Sequence, residues 1–256
     1  MTVPSSIYGP VKSWRLGRSL GVDVLCVDSI CSFECVYCQL GKINRVTSER
    51  SIFVSTEKII EDLLASDWES ADVVTFSGSG EPTLASNLSE VIAEIKRITG
   101  KPVIVLTNST LLYQPAVRHD LRQADRVFCK LDAWSEETLR RFDRPAPGIT
   151  LTSIVEGIKA LREEFSGQIA IQTMLLKRPD GDDLEKLAEM LKSIAPDEVQ
   201  LNLPTRPVPR EYFLETRGNE VVFDESFTKL KTITKDDLES VAADLRRLTG
   251  LEIVTR

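Results

Sequence analysis

The chain has 256 residues, a formal charge of −7 from 32 basic and 39 acidic side chains, and 42% apolar against 28% charged residues. This describes a folded globular chain of one large or two small domains and excludes a disordered one. With one histidine and five cysteines, it also excludes His-rich zinc sites, the two-His iron triad and HExxH proteases, all of which need more imidazoles.

The N-terminal stretch MTVPSSIYGPVKSWR lacks the apolar segment of a secretion signal, and no apolar run approaches the roughly 18 residues that span a bilayer. The cytoplasm is therefore the expected compartment, with no membrane partner. VDVLCVD (22–28) reads as the first strand, followed by a cysteine-rich segment at 31–38. Ile59, Ile60, Leu63 and Leu64 form a helical stripe before the strand DVVTF (72–76). A stripe of Leu88, Val91, Ile92, Ile95 and Ile98, capped by Asn87 and Glu90, leads to PVIVLTN (102–108). The charged helical stretch VRHDLRQ makes His119 a solvated surface group, and RVFCKLD (126–132) is the next strand. Ile154, Ile158, Leu161 and Phe165, following Ser153 and Glu156, precede QIAIQTMLL (168–176). Leu184, Leu187, Ala188, Leu191 and Ile194 precede EVQLNL (198–203). TRPVPRE reads as a loop. A last helix through Leu238, Val241, Ala242, Leu245 and Leu248 stops at Gly250 before the short strand LEIVT.

Continuously apolar strands alternating with amphipathic helices run parallel with right-handed crossovers. The result is a doubly wound sheet or a full or partial β/α barrel, with its active site at the carboxyl ends of the strands. Residues 22–205 form this unit; residues 1–21 are expected to pack on it, and residues 206–256 to form a C-terminal extension.

Three cysteines stand in C-x3-C-x2-C spacing, as Cys31, Cys35 and Cys38, directly after the first strand. Three soft thiolates suit zinc or an iron-sulfur cluster, and both usually take four ligands. A structural zinc site would recruit Cys26, Cys129 or His119; a cluster with one iron left open is a reactive centre. Cys26 and Cys129 read as small buried thiols within strands. The second strand ends in Ser77-Gly78-Ser79-Gly80-Glu81-Pro82-Thr83, where glycines allow close backbone approach and a carboxylate can meet a cationic amino group. The next strand ends carry Asn108 and Asp132 as ligand-contact candidates. Gln172, Met174, Asn202 and Arg206 are candidates for substrate contacts at or beside the mouth.

The cysteine motif, with an aromatic before its last cysteine, and the SGSGEPT element one strand later together resemble the radical S-adenosylmethionine (radical SAM) superfamily. The resemblance implies a partial (β/α)6 TIM-like barrel with a short C-terminal helix-strand extension. It implies a [4Fe-4S] cluster on Cys31, Cys35 and Cys38, and S-adenosylmethionine held at its methionyl end by Gly78, Ser79, Gly80 and Glu81. Tyr37 corresponds to the aromatic near the adenine, and Ser79 stands where a glycine is usual. The implied chemistry is reductive cleavage of S-adenosylmethionine to a 5′-deoxyadenosyl radical that abstracts hydrogen from a substrate. A reductant such as flavodoxin or ferredoxin supplies the electron. Tyr8–Asp23, KLDA at 130–133 and VQLNLPTRPVPRE at 199–211 further resemble a branch of small members grouped loosely with wyosine-type Fe-S oxidoreductases. The alternatives are a glycyl-radical-enzyme activase, a tRNA-base-modifying enzyme using Lys12, Arg15 and Arg18, and a zinc-stabilised binding module. The net charge of −7 disfavours nucleic acid as a partner.

Overall fold

The computed structural model describes residues 4–26, 28–218 and 224–255. Eight strands form one sheet whose spatial order is the order of the chain. β1 (Ile7–Ser13) and β2 (Gly17–Val22) make an antiparallel hairpin. β3 (Val73–Phe76), β4 (Val103–Thr107), β5 (Arg126–Lys130), β6 (Gln168–Met174), β7 (Glu198–Asn202) and β8 (Ile253–Thr255) then add one after another, all parallel. The crossovers are α1 (Thr56–Leu64), α2 (Leu88–Thr99), α3 (Pro115–Leu121), α4 (Glu136–Phe142) with α5 (Leu151–Glu164), α6 (Gly181–Ile194) and α7 (Lys235–Thr249). A doubly wound sheet reverses its strand order partway, whereas this order never reverses, so the winding is that of a barrel. β1 and β8 are opposite, unjoined edges. The barrel is therefore partial: β2 to β7 supply its six parallel strands, and α7 with β8 the helix-strand extension.

Side chains alternate across each strand. Val103, Val105, Val127, Cys129, Ile169, Ile171, Val199 and Leu201 face the helices and join one large core with Ile59, Leu88, Ile92, Ile95, Ile158 and Leu191. On the other face Ile104, Phe128 and Ala170 form a small cluster with Leu16, Val73 and Leu106. The same face carries Lys130, Gln172, Gln200 and Asn202 toward the mouth, in the registers Lys130 to Gln172 and Gln172 to Gln200.

The strand expected at 22–28 does not form there: the strand lies upstream at Gly17–Val22 and shares only Val22 with the expected run. The Asp23 carboxylate accepts the backbone N–H groups of Leu25 and Cys26, both at 3.0 Å, which turns the chain away from the sheet. Cys26 therefore sits in a turn at φ 21°, buried as expected but outside any strand; Val27 of that run lies outside the described residues. The segment 1–21 does more than pack on the barrel, because β2 is the barrel's first parallel strand. Likewise β8, inside the 206–256 extension, is an integral edge strand.

Two helix starts also differ from expectation. Thr150, not Ser153, caps α5, with Ser153 as the reciprocal member of a capping box. Asn87 stands at the cap of α2 but its amide donates instead to Val54 O (3.1 Å) and Thr56 Oγ1 (3.2 Å). His119 is exposed on α3. The basic trio does not gather: Arg15 reaches into the barrel, its Nη1 2.7 Å from Gln200 Oε1, while Arg18 pairs with Asp67 at the surface. Among the described residues no helix is long and apolar enough to cross a membrane.

Phe76, at the end of β3, is fully buried against the helices. Phe76→Ala is expected to lower unfolding free energy by about 3–5 kcal/mol, through lost burial and the cavity left behind. Urea denaturation followed by circular dichroism measures this.

Candidate active site

The cysteine loop lies above the carboxyl ends of β2, β4 and β5, and the thiols of Cys31 and Cys35 meet side chains from the barrel. Cys31 Sγ accepts from Phe33 N (3.4 Å) and Asn108 Nδ2 (3.5 Å). Cys35 Sγ donates to Asp143 Oδ1 at 3.4 Å, with Lys130 Nζ 4.0 Å away. Cys38 N closes a turn onto Cys35 O at 3.0 Å. Burial, with Glu81 next, pushes the Cys31 thiol up to about 12. Burial pushes Cys35 well above its ordinary value, opposed by the Lys130 ammonium, and raises Cys38 too.

Tyr37 is buried, its phenol donating to Asp132 Oδ2 and lying 3.3 Å from Asp143 Oδ1, with Lys130 Nζ 4.6 Å from its ring centre. Asp132 also accepts Met174 N at 2.7 Å, which ties β5 to β6. Burial and the neighbouring Asp132 hold the Asp143 carboxyl well above the usual carboxylate range. Asn108 bridges loop and barrel, donating to Ser32 Oγ (2.8 Å) while its Oδ1 accepts Thr110 N (3.1 Å) and Oγ1 (2.7 Å).

The glycine-rich strand end is joined to the cysteine loop by backbone bonds. Ile30, one residue before Cys31, donates to Ser79 O (2.9 Å), and its carbonyl accepts Glu81 N (3.1 Å). Gly80 has φ +153°, and a Cβ there would lie 1.6 Å from Ile30 O. Gly78 has φ +137°, and its Cβ would lie 2.4 Å from the Asp23 carboxyl carbon. These glycines are thus required by close internal packing. Ser79 does not adopt a positive φ, so a serine is tolerated between them.

The Glu81 carboxylate is occupied within the protein. Oε1 accepts Thr83 N (3.0 Å), Thr83 Oγ1 (2.7 Å) and Thr107 Oγ1 (2.7 Å), and Oε2 accepts Asn108 N (2.6 Å). These bonds join β3 to β4 through the Glu81 side chain. Burial raises the Glu81 carboxyl, and these four bonds pull it back.

The structure thus brings together Cys31, Cys35, Cys38, Tyr37, Asn108 and Asp132, with Gly78 to Glu81 adjoining. Gln172 lies deeper, donating to Gln200 Oε1 at 3.0 Å; Met174 sits on Asp132 through its amide; Asn202 donates to Gln200 O at 3.4 Å. Arg206 bonds Gln39 Oε1 at 2.5 Å, on the outside of the cysteine loop rather than in the barrel. Sequence reading missed Asp23, Lys130, Asp143, Gln200 and Arg217 as parts of the site. Asp23 and Lys130 had a signal, since each is a charged side chain inside an apolar strand run. Asp143 and Arg217 had none, because they arrive from a helix end and from the distant extension.

The donor set fits an iron-sulfur cluster. Three buried thiols are spread along one loop, with hydrogen-bond donors and an ammonium beside them to offset thiolate charge. No group of three or more His, Cys, Asp or Glu side chains among the described residues converges on a single ion. The two remaining thiols are committed elsewhere: Cys26 donates to Ser5 O (3.1 Å), and Cys129 lies in the helix-facing core.

A partial barrel with these thiols at its mouth is the architecture of a class, and residues 27–191 match the Radical SAM superfamily, to which the chain belongs. It is 44% identical to a UPF0026 protein of Synechocystis sp. over 97% of this chain and 95% of that one. It is 37% identical to a UPF0026 protein of Methanocaldococcus jannaschii over 84% and 68%. The fold is similar to the solved structure of native anSMEcpe with bound AdoMet and Kp18Cys peptide. That pair has a TM-score of 0.61 and 16% identity, covering 93% of this chain and 63% of that one. The superfamily uses a [4Fe-4S] cluster and S-adenosylmethionine, and these are the protein's cofactors.

Glu81→Gln would set an amide NH2 against N–H and O–H donors. A stability loss on the order of 1–3 kcal/mol is expected, read as a lower urea midpoint. Burial pushes the Cys129 thiol up to about 12, so it is neutral at pH 8 and unreactive in the native protein. Iodoacetamide mapped by mass spectrometry should leave Cys129 unmodified until denaturant is added.

Proposed function

We propose that the protein is a radical SAM enzyme that abstracts a hydrogen atom from a polar substrate bound in the barrel. The observation that carries this reading is the placement of Cys31, Cys35 and Cys38 at the mouth, bonded through Ile30 to the glycine-rich end of β3. When bound, the cluster and S-adenosylmethionine supply one electron and a 5′-deoxyadenosyl radical. The chain's own residues do the placing. The thiolates of Cys31, Cys35 and Cys38 would be the chain's ligands to the cluster. Phe33 N, Asn108 Nδ2 and Lys130 Nζ offset the sulfur charge. Backbone groups of Gly78 to Gly80 receive the methionyl amino group, since the Glu81 carboxylate is occupied.

The substrate meets Lys130, Gln172 and Asn202 on the inner wall, with Gln200 behind them as the group that Gln172 bonds. Arg15 reaches into the barrel from the hairpin turn and bonds Gln200, which is 1% exposed. Amides and an ammonium on this wall favour a polar substrate, which can share the hydrogen-bonding network that these groups form with one another. A one-electron donor such as flavodoxin or ferredoxin completes the reaction. With Arg15 inside the barrel, the basic trio that motivated a tRNA substrate is broken up, so that reading has no observation in its favour.

Anaerobically reconstituted protein is expected to hold a four-iron cluster, to change its reduced EPR signal on addition of S-adenosylmethionine, and to release 5′-deoxyadenosine. Cys35→Ala should lose all three properties. A Cys35→Ala protein that keeps the cluster and cleaves S-adenosylmethionine contradicts the assignment.

A further inference from the structure

Asp23 is 1% exposed, yet its carboxylate accepts five hydrogen bonds from three parts of the chain. Oδ1 accepts Leu25 N and Cys26 N. Oδ2 accepts Ser79 N (3.0 Å), Ser79 Oγ (2.5 Å) and Arg217 Nη1 (2.7 Å). Arg217 lies 194 residues away in sequence and is the only cation paired with Asp23 among the described ion pairs. Its guanidinium sits 5.1 Å from the centre of the Tyr8 ring. That ring packs on the Gly21 backbone, where a Cβ would come within 2.1 Å of it, and Tyr8 OH bonds Ser77 Oγ at 2.6 Å. Tyr212 OH lies 3.4 Å from Ser79 Oγ. The strand end that adjoins the cysteine loop is thus gripped by side chains from β1 and from the C-terminal extension.

The same extension also grips the cysteine loop. Arg206 bonds Gln39, Phe213 N donates to Leu40 O (3.0 Å), and a Cβ on Gly41 would lie 2.2 Å from Glu211 O. Residues 206–217 therefore cross from the cluster-bearing loop to the glycine-rich loop, which are the two halves of the cofactor site.

We propose that residues 206–217 clamp the S-adenosylmethionine site, and that Asp23 and Arg217 are positioning residues holding Ser77–Glu81 in the conformation that receives the methionyl group. This rests on the radical SAM reading above. The reason is electrostatic. Without Arg217 the buried Asp23 keeps its N–H and O–H donors but loses its counter-charge, and an uncompensated buried carboxylate moves toward water. Gly78 packs directly on that carboxyl group, and Ser79 hangs from it by two bonds, so the loop moves with it. Ile30 passes the shift to Cys31 through the bonds at Ser79 O and Glu81 N. Ser79, where the superfamily usually has glycine, supplies the hydroxyl that makes the loop depend on Asp23.

The test uses the full chain, reconstituted anaerobically, with iron content and melting temperature recorded for every variant. Equilibrium dialysis with labelled S-adenosylmethionine should show Arg217→Ala and Asp23→Asn binding about tenfold or more weakly than wild type, with iron content unchanged. Arg217→Lys, which keeps the charge but loses the planar fork, should fall between. Added S-adenosylmethionine should slow hydrogen exchange across 206–217 in the wild type and not in Arg217→Ala. Wild-type affinity in both Arg217 variants overturns the clamp, as does exchange in 206–217 that ignores S-adenosylmethionine. If Arg217→Ala fails to fold or to retain iron, Arg217→Lys decides: unchanged affinity there overturns the proposal. A wild-type protein that holds its cluster but binds no S-adenosylmethionine overturns the radical SAM reading itself, which separates the two failures.

Discussion

Two carboxylates buried at strand ends organise the mouth of this barrel. Parallel strands end with backbone donors that no neighbouring strand can take, and a buried donor without an acceptor is costly. Asp23 collects those at the end of β2 and the start of the β3 loop; Glu81 collects those of the β3 loop and the end of β4. Asp23 is also why its neighbour must be small: Gly78 lies against its carboxyl group, while Gly80 is required by the approach of the Ile30 carbonyl. The glycine-rich motif is therefore as much a solution to internal packing as a place for a ligand to approach.

The cysteine loop is embedded in charge. Asp132, Asp143 and three thiols crowd around Lys130. Burial works against the ammonium, but Cys35, Asp132, Asp143 and Cys38 together hold it above the usual lysine range. Lys130 comes from β5, Asp132 from the turn after it and Asp143 from the end of α4. The electrostatics felt by the thiols are thus set by barrel elements rather than by the loop itself. Tyr37 belongs to this arrangement: its phenol is held by two carboxylates and its ring faces the ammonium, which locks the loop in register with β5.

An open barrel leaves its interior exposed at the missing strands, and here both termini answer that problem. The N-terminal hairpin adds β1 to one edge and sends Arg15 to Gln200 on the far side of the barrel. The C-terminal extension adds β8 to the other edge, and its 206–217 stretch touches the cysteine loop and Asp23.

Strand and helix alternation, the barrel class and the three thiols were legible in the sequence. Hydrophobic periodicity reports which face of an element is buried, and metal-binding spacing is local. The position of the first strand was not legible, because an apolar run at 22–28 cannot show that the strand lies upstream at Gly17–Val22 and that Asp23 will capture two backbone N–H groups and stop it. Nor were the protein partners of Glu81: a carboxylate after glycines does not show that Thr107 and Asn108, 26 and 27 residues on, donate to it. The sequence by itself determined the donor set and the alternation of parallel strands with helices, since both follow from residue type and short-range pattern. The order of winding, left between a doubly wound sheet and a barrel by that pattern, was decided by the strand order of the sheet. Only the tertiary structure decided which acids serve the fold and which face the site, and that Arg217 completes Asp23. Those pairings join residues from 26 to 194 positions apart, and no local pattern encodes which distant donor a buried carboxylate will find.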